Sequence, residues 1–180
     1  MARPREEIVK EFLSDIVHEF RRHKSLADRA MSAMDDEAFC RRPAEQVNSV
    51  AIVVKHLAGN LLSRWTDFLT TDGDKPSRNR DGEFVIEAQD SQSHLLAQWE
   101  AGWSALLSTI DSLKDPDLDK SVTIRGEPHT VRQALLRGLT HVAYHVGQIT
   151  YLCRLHKPDA PWLTIAPGQS RAHKPNYRGA

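Results

Sequence analysis

Residues 131 to 156 read VRQALLRGLTHVAYHVGQITYLCRLH, and the order of side chains in this stretch decides the fold. Leu135, Leu139, Val142, Val146, Ile149 and Cys153 recur at steps of four and three, the spacing of one helical face and of a bundle seam. A second face alongside carries Ala134, Gly138, His141, His145, Gln148 and Leu152. Thr130 followed by Gln133 matches a reciprocal capping pair, in which each side chain meets a free backbone amide. The helix is therefore expected to begin near Val131, and Lys157-Pro158 closes it near His156.

Three more amphipathic helices are expected upstream. The first, from about Arg5 to Met34, carries Ile8, Phe12, Ile16 and Phe20 between charged residues. Pro43 and the polar stretch after it break the pattern, and Asn48 or Ser49 can cap the second helix, which runs to about Thr70. Val50, Val54, Leu57, Leu61, Trp65 and Phe68 form its apolar stripe. The third resumes near Ser91, with Leu96, Trp99, Trp103, Leu106, Ile110 and Leu113, and Asp115-Pro116 ends it. Between the second and third, residues Thr71 to Asp90 are polar and rich in turn formers, so this long connection crosses the bundle end or carries function. Ser121 to Ile124 followed by Arg125-Gly126 suggests a small extended excursion with a tight turn.

Composition narrows the function classes. With 180 residues and 40% hydrophobic content, residues 1–180 are read as one domain, with an irregular tail over about 159–180. Lys plus Arg and Asp plus Glu both total 24, so no net field favours nucleic acid or an anionic membrane. Only two cysteines, Cys40 and Cys153, argue against a disulfide scaffold and for a reduced, cytoplasmic setting. The charged N-terminal residues lack a signal peptide's apolar core, and no apolar run reaches membrane-spanning length; a soluble protein is expected.

His141 and His145, one helical turn apart, can converge on one ion, and His56 on the flank of the second helix can supply a third imidazole. The alternative is a pair of half-buried histidines bonded to backbone carbonyls, since short motifs arise by chance in a chain with nine histidines. Gly138 and Ala134 leave room beside the pair, and Gln148 is placed to orient a ligand or to bond to a water on the ion. Imidazole suits zinc, nickel, copper and iron alike; zinc or nickel is taken as the first candidate, with iron or manganese as further ones. Three neutral imidazoles would leave a divalent ion's charge uncompensated and a coordination position free.

The string His141-Val-Ala-Tyr-His145-Val-Gly-Gln148, with Gly126-Glu127-Pro128-His129-Thr130 before it, resembles the last helix of the DinB-like superfamily of metalloproteins. Asn48-Ser49-Val50, Lys55-His56-Leu57-Ala58-Gly59-Asn60, Ser63-Arg64-Trp65, Thr70-Thr71-Asp72-Gly73 and Arg78 to Phe84 resemble one branch of it. The resemblance implies an all-α, up-down-down-up four-helix bundle with a long crossover between its second and third helices. It also implies metal ligands at His56, His141 and His145, and frequent homodimers. The superfamily includes thiol-dependent isomerases and thiol S-transferases.

Other residues are weighed against plainer roles. Arg64, Arg78 and Arg80 could clamp an anion near the metal mouth, or pair with Asp67, Asp81 or Glu83. Arg64 is the first candidate, and with Gln148 it completes the catalytic candidates. Asp81 and Glu83 could assist as bases, but as loop carboxylates they are expected to be solvated. Trp65, Trp99 and Trp103 read as core, and Cys153 as a buried small hydrophobe. Tyr144 could donate a proton, but its direction on the helix differs from that of the histidines by about 100°, and it is left out of the site. His18, His23, His94, His129, His156 and His173 are assigned to the surface or to local contacts.

The function expected is that of a metal-dependent enzyme of the thiol S-transferase or hydrolase kind. Its partner would be a small-molecule substrate, with low-molecular-weight thiols among the candidates, and no nucleic acid and no membrane. The alternative is a non-catalytic, metal-stabilised binding or stress-associated bundle. The first helix offers two apolar edges, one with Ile8, Phe12, Ile16 and Phe20 and one with Leu13 and Val17. Both edges cannot easily face one core, so a homodimer is expected to cover the apolar surface left over, unless the tail around Trp162 and Ile165 folds over it.

Overall fold

The computed structural model describes residues 4–174. The ends of two expectations, the N-terminal residues 1–3 and the tail beyond residue 174, lie outside the described residues. The chain is mostly helical, with α1 at Arg5–Met31, a short α2 at Asp36–Cys40, α3 at Val50–Trp65, α4 at Gln92–Ser112 and α5 at Val131–His156. Two strands, β1 at Ser121–Ile124 and β2 at Glu127–Thr130, form an antiparallel hairpin before α5.

Local chemistry sets these boundaries. The Ser49 and Ser91 hydroxyls accept the backbone amides of Ile52 and His94 at the starts of α3 and α4. At α5, Thr130 Oγ1 accepts the Gln133 amide at 3.2 Å while Gln133 Oε1 accepts the Thr130 amide at 2.8 Å, the reciprocal pair expected. The hairpin turns on Arg125 and Gly126, at φ 57° and 74°, two consecutive left-handed residues that match the twist of paired strands.

Two helix ends differ from expectation. The first long helix stops at Met31, and Asp35 caps the separate α2 through the Ala38 amide at 2.8 Å. The second stops at Trp65 rather than Thr70, because Asp67 adopts φ 48° and the Thr70 and Thr71 hydroxyls bond to its carbonyl. Phe68 stays buried, so the apolar period runs on past the helix that began it.

All but three of the 16 residues of α3 are buried. It lies between α4 and α5, and α1 packs on α4 and α5 from the other side. Contacts between α3 and α4 pair Gly102 with Ala58 and Leu61, then Thr109 with the Trp65 carbonyl. Between α1 and α4, Phe20 meets Trp103, Lys24 meets Glu100 and Asp28 meets Trp99. The core centres on Phe20, Trp65, Trp99 and Trp103, whose rings meet edge to face, as the sequence led one to expect of the tryptophans. Among the described residues no helix is long and apolar enough to cross a membrane.

The connection from Thr66 to Ser91 is pinned along its length. The Asp72 carboxylate accepts the amides of Arg125 and Gly126 at 2.9 and 2.8 Å, fastening the connection to the hairpin tip. Lys55 reaches from α3 to the Val85 carbonyl and the Asp90 carboxylate. Between these anchors a 3-10 turn, Asp81–Phe84, is laid against α3.

Candidate metal centre

On α3, residues 56, 60 and 64 follow one another by a turn, and His56, Asn60 and Arg64 are all buried. On α5 the corresponding steps are His145, His141 and Arg137. The His56 ring lies 4.9 Å from that of His145 and 5.5 Å from that of His141, whereas at the other end Trp65 meets Gly138. The two helices therefore face each other in opposite directions along a polar strip.

Three imidazoles gather at one end of this strip. One nitrogen from each of His56, His141 and His145 lies within 4.8 Å of the other two. The hydrogen bonds assign the tautomers. His56 Nδ1 is 2.8 Å from Glu83 Oε2; an ionised carboxylate only accepts, so this nitrogen carries the proton and Nε2 presents its lone pair. His145 Nδ1 likewise donates to Gln148 Oε1 at 2.8 Å, which leaves its Nε2 as the acceptor.

The His145 Nε2 atom faces His141 Nε2 at 3.2 Å. Two nitrogens bound to one tetrahedral ion at about 2.0–2.1 Å stand about 3.3 Å apart, so the spacing fits a shared ion. His141 Nδ1 is buried with no hydrogen-bond partner among the described residues. A ring held with one nitrogen unpaired and the other against a second imidazole is poorly satisfied by protein alone, and an ion between the rings would use both facing lone pairs. The residues fit a divalent metal.

Electrostatics favour the neutral form of the two rings on α5. Burial, followed by the charges of His145, Arg64, His56 and Arg78, pushes the His141 pKa down to about 3. Burial also lowers that of His145, against its bond to Gln148. Neutral imidazole is the form that binds metal.

Behind His56, Arg78 grips Glu83 with a two-pronged fork, Nε to Oε1 and Nη2 to Oε2, both at 2.8 Å. Burial works to raise the Glu83 carboxyl, but the bonds from His56 and Arg78 outweigh it and hold the group below the usual carboxylate range. Gly59 makes this contact possible, because a Cβ there would fall on Glu83 Oε1. The Phe84 ring lies 5.0 Å from His56, and Arg80 stacks on Phe84.

The expectation that Glu83 is solvated is thus corrected: it is buried, and it orients a site residue. The sequence held one signal, the Arg78 to Phe84 run, but a loop carboxylate there gives no sign of reaching back to a helix. Asp81 stays exposed. Arg64 is buried, as a site residue would be, while Arg78 and Arg80 have partners at Glu83 and Phe84. Tyr144 is exposed, with its ring edge against His145. Cys153 is buried and its thiol is pushed up to about 12 by burial, so it is no nucleophile. His23, His94 and His129 make local contacts with backbone carbonyls.

A family model described as "Protein of unknown function (DUF1572)" matches residues 7–169. No curated protein matches the chain. Among solved structures, it is similar to a DinB-like protein (YjoA) from Bacillus subtilis, at 16% identity and a TM-score of 0.53, covering 83% of this chain and 97% of that one. This likeness is one of fold.

Proposed function

The chain belongs to the DUF1572 family, and we propose that it is a member of the DinB-like superfamily in which His56, His141 and His145 hold one divalent metal ion for chemistry on a small molecule. The observation that carries the reading is the pair of facing nitrogens, His141 Nε2 and His145 Nε2 at 3.2 Å, with the partner of His145 Nδ1 already supplied by Gln148. Zinc or nickel is the preferred ion, with iron or manganese next; imidazole suits zinc, nickel and iron, whereas manganese favours oxygen ligands. A divalent ion with three neutral ligands lowers the pKa of a water or thiol bound to it, which suits a thiol S-transferase or hydrolase.

The protein's own contribution is orientation. Glu83 fixes the tautomer of His56, Gln148 fixes that of His145, and Phe84 screens the His56 ring from water. The second reading, a non-catalytic bundle in which the metal fastens α3 to α5, draws on the same placement of ligands on two helices. Screening the metal-loaded protein with low-molecular-weight thiols and electrophiles, and with ester and amide substrates, separates them. Turnover that disappears in His141→Ala supports the enzyme; no turnover, in a chain that unfolds when the metal is chelated, supports the bundle.

For the fold, we infer the up-down-down-up order of a single domain. Contact positions rise together between α3 and α4 and run oppositely between α1 and α4 and between α3 and α5, which supports it. A cytoplasmic homodimer is part of the same proposal. Leu13 and Val17 line a groove with Trp162, Leu163 and Ile165, so the first part of the tail lies along this edge of α1, while Ile8 is 45% exposed. Light scattering coupled to size exclusion decides the state; a mass near 20.3 kDa at all micromolar concentrations would exclude the dimer.

A further inference from the structure

Beyond the histidines, the strip between α3 and α5 ends in positive charge. Arg64 is only 8% exposed, yet among the described residues no carboxylate lies within ion-pairing distance of it and its Nε has no hydrogen-bond partner. The other nearby cations are engaged: Arg78 with Glu83 and Asp74, Arg125 with Asp74. Arg137, exposed at the rim of the strip, meets the His129 ring and, among the described residues, no carboxylate within ion-pairing distance. The stem of Arg64 passes beside Gly73, where the connection meets the hairpin, and its charge is felt at His141.

A buried guanidinium without a counter-charge is costly, and protein interiors retain one where something else supplies the negative charge. Burial, with repulsion from Arg137, Arg78 and Arg125 and against the attraction of the more distant Asp74, lowers the Arg64 pKa only to about 10, so it stays charged at neutral pH. Its planar fork suits two oxygens of one group. We propose that Arg64 anchors an oxyanion, carboxylate or phosphate, carried by the small molecule whose reacting end lies at the histidine triad. Arg137 at the rim draws the same group in, and Asn60, buried between His56 and Arg64, faces the portion of the molecule between them. The substrate class is therefore a small organic anion.

This inference rests on the metal reading, and its test separates the two. Metal-loaded full-length protein is melted in chloride buffer of fixed ionic strength with acetate, with inorganic phosphate and with neutral acetamide. Wild type, Arg64→Met and His141→Ala are compared, with the metal content of each measured. Wild type should be stabilised by at least one anion and not by acetamide, and the stronger of acetate and phosphate identifies the group. Arg64→Met should keep its metal, weaken the anion effect at least tenfold, and melt no lower than wild type without anion, because an unpaired buried charge has gone. His141→Ala should lose metal and keep an Arg64-dependent anion effect. Equal anion effects in wild type and Arg64→Met, no anion effect in wild type, or an Arg64→Met protein that melts well below wild type without anion, would each overturn the proposal. Wild type that carries no metal but shows the Arg64-dependent effect would remove the metal reading and leave the oxyanion anchor standing.

Discussion

His56 Nδ1 and Glu83 Oε2 are 2.8 Å apart, across 27 positions of sequence, and both side chains are buried. The bond ties the outermost segment of the long connection to the helix at the centre of the fold. It also fixes which His56 nitrogen faces the other two rings.

Glu83→Gln should therefore weaken metal binding about 10- to 100-fold, the usual effect of losing a carboxylate behind a metal-ligating histidine. It also takes the Glu83 charge from Arg78, whose remaining carboxylate partner is Asp74 at 3.5 Å, at a cost of about 1–3 kcal/mol. Gly59→Ala, which displaces the same carboxylate, should move both quantities in the same direction. Competition with a chromophoric chelator measures the first; unchanged affinity in Glu83→Gln would show that the bond is incidental to the site.

Lys55 and Asp90 give a pH-dependent lock on the connection. Asp90 Oδ2 accepts from Lys55 Nζ at 2.6 Å and from the Glu87 amide at 2.9 Å. Burial works to raise the Asp90 carboxyl, but these bonds prevail and its folded pKa lies below its ordinary value. A carboxyl lowered by folding contributes stability that is present above the unfolded pKa, about 3.9, and is lost as pH falls through the folded value. Asp90→Asn should cost about 1–3 kcal/mol at pH 7. The gap in melting temperature from wild type should close as pH falls below about 4 and through the lowered folded value; a gap independent of pH would mean that the Asp90 charge contributes nothing.

Gly102 and Gly147 should respond in opposite ways to alanine. At Gly102 a Cβ would lie 2.9 Å from the Ala58 carbonyl oxygen and 3.1 Å from Leu61 Cβ, where α4 crosses the backbone of α3. Overpacking there should cost about 1–3 kcal/mol. At Gly147, within α5, a Cβ meets nothing within 4 Å, so alanine should gain about 0.5–1 kcal/mol from helix propensity alone. Urea midpoints of the two variants test the helix packing directly.

The four long helices were legible because their chemistry is local: apolar spacing, serine caps and the Thr130–Gln133 pair all lie within a few residues of the feature they set. The meeting of His56 with His141 and His145 was legible from spacing together with the family strings. Glu83 was not, since its role depends on a fold-back of the connection that no local pattern encodes and on the bare backbone at Gly59. The early stop at Trp65 was hidden for the opposite reason. Phe68 keeps the helical period while Asp67 leaves helical geometry, and periodicity cannot register a single left-handed residue.

The most direct test of the metal centre is elemental analysis of the purified chain, with His56→Ala and His141→Ala beside it. Wild type should carry about one divalent metal per chain, and each variant should lose most of it, because removing one of three ligands cripples the site. Wild type that emerges from metal-replete medium without metal, and takes up none on titration, would contradict the metal centre.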